Sequence, residues 1–254
     1  MKSHILQETN WKEVKAYVYN VAILPWGATE AHNLHLAYGT DTIMAEKIAA
    51  DAAEIANQNG AGAIVLPSIA YGVNSGQMEI PLCMHMNPTT QLSILRDILF
   101  VLDEHEIRRF IIVNGHGGNS FQPLIRELSL EFPDILMASI NWWTVGNAQE
   151  YFHEPGDHAG ELETSAMMHV RPDLVGPLSG AGDGAETHFK ITGLKEKWAW
   201  TPRRWIYISE DTGVGNPVKA TAKKGEAFVN ICVKKIAGFI EDFAKVENEK
   251  DLYQ

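Results

Sequence analysis

Val21-Ala22-Ile23-Leu24-Pro25, followed by Gly27-Ala28-Thr29-Glu30-Ala31-His32-Asn33-Leu34-His35 and then Asp41, decides how this chain is read. The first five residues form a continuous apolar run, the mark of a strand buried on both faces. Beyond the polar loop that follows, Ile43, Met44, Ile48, Ala52 and Ile55 recur at helical spacing as far as Gly60. Strand, loop and helix form one unit, with its polar residues gathered at the strand's carboxyl end.

The same order recurs outward from this unit. Ala63 to Pro67 predicts a strand, and Leu92, Leu95, Leu99 and Leu102 predict a helix from about Pro88 to Ile107. Phe110 to Val113 predicts the next strand, with a helix over 120–131 and a further strand from Ile135 to Ile140. Helices are expected at Ala159 to Val170 and Thr221 to Lys245, and Asn10 with Glu13 predicts a capped first helix ending near Tyr19. Residues 171–217 are rich in Gly and Pro and offer one short strand candidate, Trp205 to Ile208. Apolar strands alternating with helices imply an α/β fold whose mostly parallel sheet is covered on both faces. Residues 1–254 carry no linker or composition break, so a single domain is expected.

In such sheets ligands bind beyond the carboxyl ends of the strands. The polar clusters obey this rule: Glu30, His32 and Asp41 follow the first strand, His116 follows Val113, and Trp142, Trp143 and His158 follow Ile140. A formal net charge of −11 opposes a nucleic-acid surface, which needs clustered basic residues. No long apolar run suggests a signal peptide or membrane span, and Cys83 and Cys232 are too few for a disulfide scaffold. A cytoplasmic enzyme acting on a small molecule is the expectation.

Each cluster has a functional and a bland reading. Glu30 and His32 in an extended loop can turn inward together, and Asp41 offers two oxygens able to bridge two ions; alone, Asp41 could simply cap its helix. Asn114-Gly115-His116-Gly117-Gly118-Asn119 lets the backbone turn sharply around one histidine, or is an ordinary strand-to-helix turn. His158-Ala159-Gly160-Glu161-Leu162-Glu163 is read as the start of a helix. On that reading Glu161 shares ground with His158, and Glu163 is turned about 200° from Glu161. Acids in a first helical turn are also favoured by the helix dipole. Tryptophans at positions 142 and 143 can wall a pocket or close the core.

In combination and order these motifs, with Lys223-Lys224-Gly225-Glu226 near the end, resemble the creatininase family. The resemblance implies a three-layer α/β/α fold and two divalent ions, zinc, manganese or iron. It also implies hydrolysis of cyclic or linear amides by a water shared between the ions, and often a homohexamer. Carried onto this chain, Glu30 and His116 would hold one ion, His32 the other, and Asp41 both, with His158 as the catalytic histidine. Trp142 or Trp143 would lie by the substrate, along with Ser75 and Gly117. Creatinine-cleaving members have Glu where Gly118 stands, and their Phe-Pro-Gly-Thr loop appears here as Ile80-Pro81-Leu82-Cys83. The expectation is therefore that Glu161 supplies the missing ligand and Glu163 supports it. Bulkier Leu82, Met84 and Met86 are expected to reshape the pocket against creatinine. Cleavage of a C–C bond in a cyclic diketone by the same metals, and a non-enzymatic metal-binding module, are the alternatives.

Overall fold

A computed structural model describes residues 4–253. In chain order it contains α1 (Trp11–Val14), β1 (Val21–Trp26), α2 (Thr40–Gln58), β2 (Ala63–Val65), α3 (Pro88–Glu104), β3 (Arg109–Asn114), α4 (Phe121–Glu131) and β4 (Leu136–Asn141). They are followed by α5 (Glu161–Val170), α6 (Thr192–Lys195), α7 (Trp205–Ile208) and α8 (Ala222–Ala244). The sheet runs β2-β1-β3-β4 and every pairing is parallel.

Alternation along β1 splits the core in two, as the twofold side-chain period of a strand requires. Val21 and Ile23 join Met44 and Ile48 of α2 and Phe228, Cys232 and Ile236 of α8 on one face. Ala22 and Leu24 join Leu95 and Leu99 of α3 and Phe121 and Leu128 of α4 on the other. Each large apolar side chain buried this way contributes about 1.5–3 kcal/mol. Helices on both faces of one sheet make the three layers. At Gly225 a β-carbon would lie 1.8 Å from the Ser165 carbonyl oxygen, so α8 meets α5 backbone to backbone. Among the described residues no helix is long and apolar enough to cross a membrane.

Register places the site. Trp26 pairs with Asn114 and Asn114 with Asn141, so β1, β3 and β4 end level with one another. The chain leaves β1 for β2 on one side and β3 on the other, which opens a crevice between the loops after β1 and β3.

Three expectations about elements are corrected. Asn10 does cap α1 through the Glu13 amide, but the helix ends after Val14 rather than near Tyr19. Trp205–Ile208 is a helical turn, not a strand. Its β-prone side chains have no neighbouring strand, and the turn satisfies its own backbone, the Ser209 amide donating to Trp205. The helix expected from Ala159 begins two residues later, because Ala159 has φ +51 and Gly160 is extended.

Candidate metal centre

Glu30 and His32 follow β1 and His116 follows β3, while Asp41 and Glu163 stand in the first turns of α2 and α5. Asn114, the last residue of β3, holds the His116 turn: its side-chain oxygen accepts from the His116 amide and its NH2 donates to the His116 carbonyl. Asn119 donates to the same Asn114 oxygen and closes the turn. Gly118 is forced by this packing, since a β-carbon there would lie 2.4 Å from both His116 Nε2 and the Val73 carbonyl oxygen. A side chain at that position would have to displace the Val73 carbonyl and the His116 ring, so no ligand comes from there.

Glu30, His32, Asp41, His116 and His158 are all buried, and their donor atoms converge. His116 Nδ1 lies 3.1 Å from Glu30 Oε1 and 3.1 Å from Asp41 Oδ2. His32 Nε2 lies 2.9 Å from Asp41 Oδ1 and 3.9 Å from Glu30 Oε1, and His158 Nδ1 lies 3.6 Å from the same Glu30 oxygen. Three overlapping groups result, Glu30-Asp41-His116, His32-Asp41-Glu163 and Glu30-His32-His158, each with its ligand atoms within 4.8 Å of one another.

The imidazoles are pre-set for this task. His32 Nδ1 donates to the Glu30 carbonyl (3.0 Å), His116 Nε2 to the Val73 carbonyl (3.2 Å) and His158 Nε2 to the Ala31 carbonyl (2.8 Å). A carbonyl oxygen only accepts, so each bond fixes one ring proton outward and leaves the other nitrogen facing the carboxylates. Asp41 Oδ2 is buried and makes no hydrogen bond although His116 Nδ1 is beside it. A ring nitrogen facing carboxylate oxygens at that spacing needs a positive charge between them, either a proton or a metal ion. Donors about 3–3.5 Å apart are what one ion with ligands at ~2.1 Å requires. The residues therefore fit a pair of divalent ions.

The acid–base balance agrees. Burial alone would lower the His32 imidazole, yet Asp41 bonded to it, with Glu163 and Glu30, pushes it up to about 10. His116 is raised well above its usual value against burial by Glu30 and Asp41. Asp41 is held below the usual carboxylate range by His32 and His116 although burial opposes this. Burial pushes the Glu163 carboxyl up. Among the described residues no lysine or arginine pairs with Glu30, Asp41 or Glu163, so apart from the imidazoles the cluster holds no positive charge.

The two acids of α5 exchange the places expected for them. Glu161 is fully buried but away from the cluster: one oxygen accepts the His153 and Glu154 amides and the other accepts Lys224 Nζ of α8. Glu163 lies with His32 and Asp41, one of its oxygens accepting the Ala159 amide. The cause is the late helix start. His158 lies outside the helix, in a backbone bridge with Val214, so helical spacing from His158 does not apply.

A cavity of about 880 Å³ opens over the cluster, lined by Ser75, Gln77, Gly117, Trp143, Arg203 and Trp205 among others. Trp142 is not at its wall. It is buried under α8 with its ring 6.1 Å from Phe228, which corrects its place beside the substrate. Leu82, 80% exposed, and Met84 also lie off the cavity wall, so the 80–84 loop does not reshape the pocket as expected. Trp205, its ring 4.8 Å from that of His158, and Gln77, bonded to Glu30, were not singled out from sequence. Gln77 comes from a short turn without a periodic signal, and Trp205 opens the stretch whose composition suggests a strand.

A sequence profile of the creatinine amidohydrolase family matches residues 7–240. A solved structure from Bacteroides fragilis assigned as a creatinine amidohydrolase is 46% identical, with both chains fully covered and a TM-score of 0.93. Creatinine amidohydrolase of Pseudomonas putida is 27% identical over 95% of this chain and 97% of its own. Mycofactocin precursor peptide peptidase of Mycobacterium ulcerans is 31% identical over 85% of this chain and 84% of its own. Creatininase structures described as zinc–zinc and manganese forms superpose with TM-scores of 0.81 and 0.80 at 26% and 25% identity. They cover 97% and 96% of this chain and all of their own.

Proposed function

The chain belongs to the creatinine amidohydrolase family, and from that premise we propose that this metal-dependent amidohydrolase opens a small cyclic amide in the cavity over its cluster. The observation that carries the reading is the trio of buried histidines, each locked by a backbone carbonyl and aimed at carboxylates that lack any other counter-charge.

Glu30, Asp41 and His116 would hold one ion, and His32, Asp41 and Glu163 the other, so that Asp41 would serve both. Bound there, divalent ions would polarise the substrate carbonyl and bring the pKa of water from about 15.7 towards ~7. His158, whose Nε2 proton is committed to Ala31, takes and returns a proton at Nδ1. Trp205 packs edge-on against the His158 ring, and Trp143 supplies a flat wall. Ser75 and Gly117 complete the substrate's surroundings; at Gly117 no atom lies within 4 Å of where a β-carbon would stand, so the backbone there is open to a ligand. The metal is zinc, manganese or iron. A homohexamer is the assembly that the family resemblance supports.

A second reading is a linear amide such as a peptide end. The cavity, at about 880 Å³, sits near the top of the ~300–1,000 Å³ range of pockets that enclose drug-sized ligands, far more than one small ring needs. Metal analysis with a hydrolysis screen over cyclic amides, formamides, short peptides and cyclic diketones tests both, with Asp41→Ala as control. Ring opening that needs stoichiometric metal supports the first reading, and peptide cleavage alone supports the second. Cleavage of a diketone with no amide turnover overturns both.

A further inference from the structure

We propose that Gln77 is a positioning residue that makes Glu30 a one-oxygen metal ligand, and that Cys83 fixes Gln77 for this purpose; the proposal rests on the two-ion reading above. Gln77 is 2% exposed and Glu30 1%. The Gln77 NH2 donates to Glu30 Oε2. A carboxylate only accepts, so this bond also sets which way the amide faces. The Gln77 carbonyl oxygen in turn accepts the Cys83 thiol at 3.1 Å, and Cys83 Sγ accepts the Ala31 amide at 3.2 Å. The relay is closed: backbone amide to thiol, thiol to amide oxygen, amide NH2 to carboxylate.

Its consequence is directional. With Oε2 engaged, only Oε1 of Glu30 faces the cluster, 3.1 Å from His116 Nδ1. A carboxylate with both oxygens free can rotate or chelate one ion with the pair, filling a position that a catalytic ion keeps for water or substrate. The relay also gives the 80–83 segment a task. Leu82 has φ +61 and turns outward, while Cys83 turns in behind Glu30. Tyr38 Oη donates to the Pro81 carbonyl (2.9 Å) and the Met84 amide to the Thr29 carbonyl (2.9 Å), tying the segment to the ligand loop. The 80–83 segment therefore acts on a ligand from behind and not on the cavity wall.

Stepwise zinc and manganese affinities, measured on the metal-stripped full chain by competition with a chromophoric chelator, test the relay without any substrate. Gln77→Met keeps volume and removes the donor; it is expected to weaken one of the two ions about 10–100-fold and leave the other within about threefold. Cys83→Ser, whose hydroxyl still donates, should stay within about threefold of wild type, and Cys83→Ala should move towards Gln77→Met. Thermal unfolding of the metal-free proteins separates folding from ligand control. A lower Tm in Gln77→Met with both affinities unchanged assigns Gln77 to packing and overturns the proposal. Equal loss in Cys83→Ser and Cys83→Ala overturns the part given to Cys83. A wild-type chain that binds neither ion overturns the two-ion reading itself.

Discussion

The loop after β1 and the start of α5 both deliver carboxylates to the same centre, yet they do so by different rules. From Gly27 to Asp41 the ligands follow a strand end, whose position is fixed by pairing with β3, and Glu30, His32 and Asp41 converge as their spacing suggests. At α5 two acids stand two residues apart, and which one faces the centre depends on where the helix begins. The positive φ of Ala159 delays that start, so Glu163 goes to the cluster and Glu161 to Lys224. A strand end transmits position through the sheet; a helix start transmits it through a single dihedral choice.

Breaking the first region should have the largest effect. Asp41→Ala removes the oxygens shared by both ligand groups, so elemental analysis should find both ions lost. Turnover should fall beyond the ~10–100-fold typical of supporting residues. Full metal occupancy in that variant would show that the two sites do not share a ligand.

The neighbouring tryptophans sharpen the contrast between wall and core. Trp142→Ala should cost about 3–5 kcal/mol in urea unfolding, because it empties a buried ring site beside Phe228. Trp143→Ala, at the cavity and only partly buried against the core, should raise KM and cost less stability than Trp142→Ala. The opposite pattern would place Trp142 at the substrate after all.

The two acids of α5 can be set against each other directly. Glu163→Gln should weaken the ion shared with His32 and Asp41. Glu161→Gln should keep both ions and lose about 1–3 kcal/mol of stability, the scale of a buried hydrogen bond to a charged group. If instead Glu161→Gln releases an ion while Glu163→Gln does not, the helix phase described above is wrong.

The smallest effect expected is on pH dependence. Burial would raise the Glu161 carboxyl, but the Glu154 amide, Lys224 and the His153 amide together hold it below its usual value near 4.5. A depressed folded pKa means the unfolded chain takes up the proton first as pH falls. The stabilisation is then fully present above about pH 4.5 and fades as pH drops through the folded value. Urea midpoints of metal-free protein should show this acid limb in wild type and a weakened one in Glu161→Gln; identical limbs would assign acid sensitivity to other groups.

Much of the architecture was legible because it follows from local pattern. The apolar run Val21 to Pro25 can only be a two-face-buried strand, and the leucines of α3 mark one helical face. The polar residues after Val113 and Ile140 needed only the rule that loops beyond strand carboxyl ends meet. Trp205 to Ile208 misled for the same reason that those succeeded, since composition signals a strand whether or not a neighbour exists to pair with it.

The sequence by itself determined which residues are available as donors, Glu30, His32, Asp41, His116 and His158, and that the sheet would bring them to one rim. Their types and their places after strands carry that information. Only the tertiary structure decided between Glu161 and Glu163, sent Trp142 inward and Trp143 outward, and set Gln77 behind Glu30. Those choices depend on a backbone dihedral, on helix contact with α8 and on hydrogen bonds across 47 positions of sequence, none of which leaves a periodic trace along the chain.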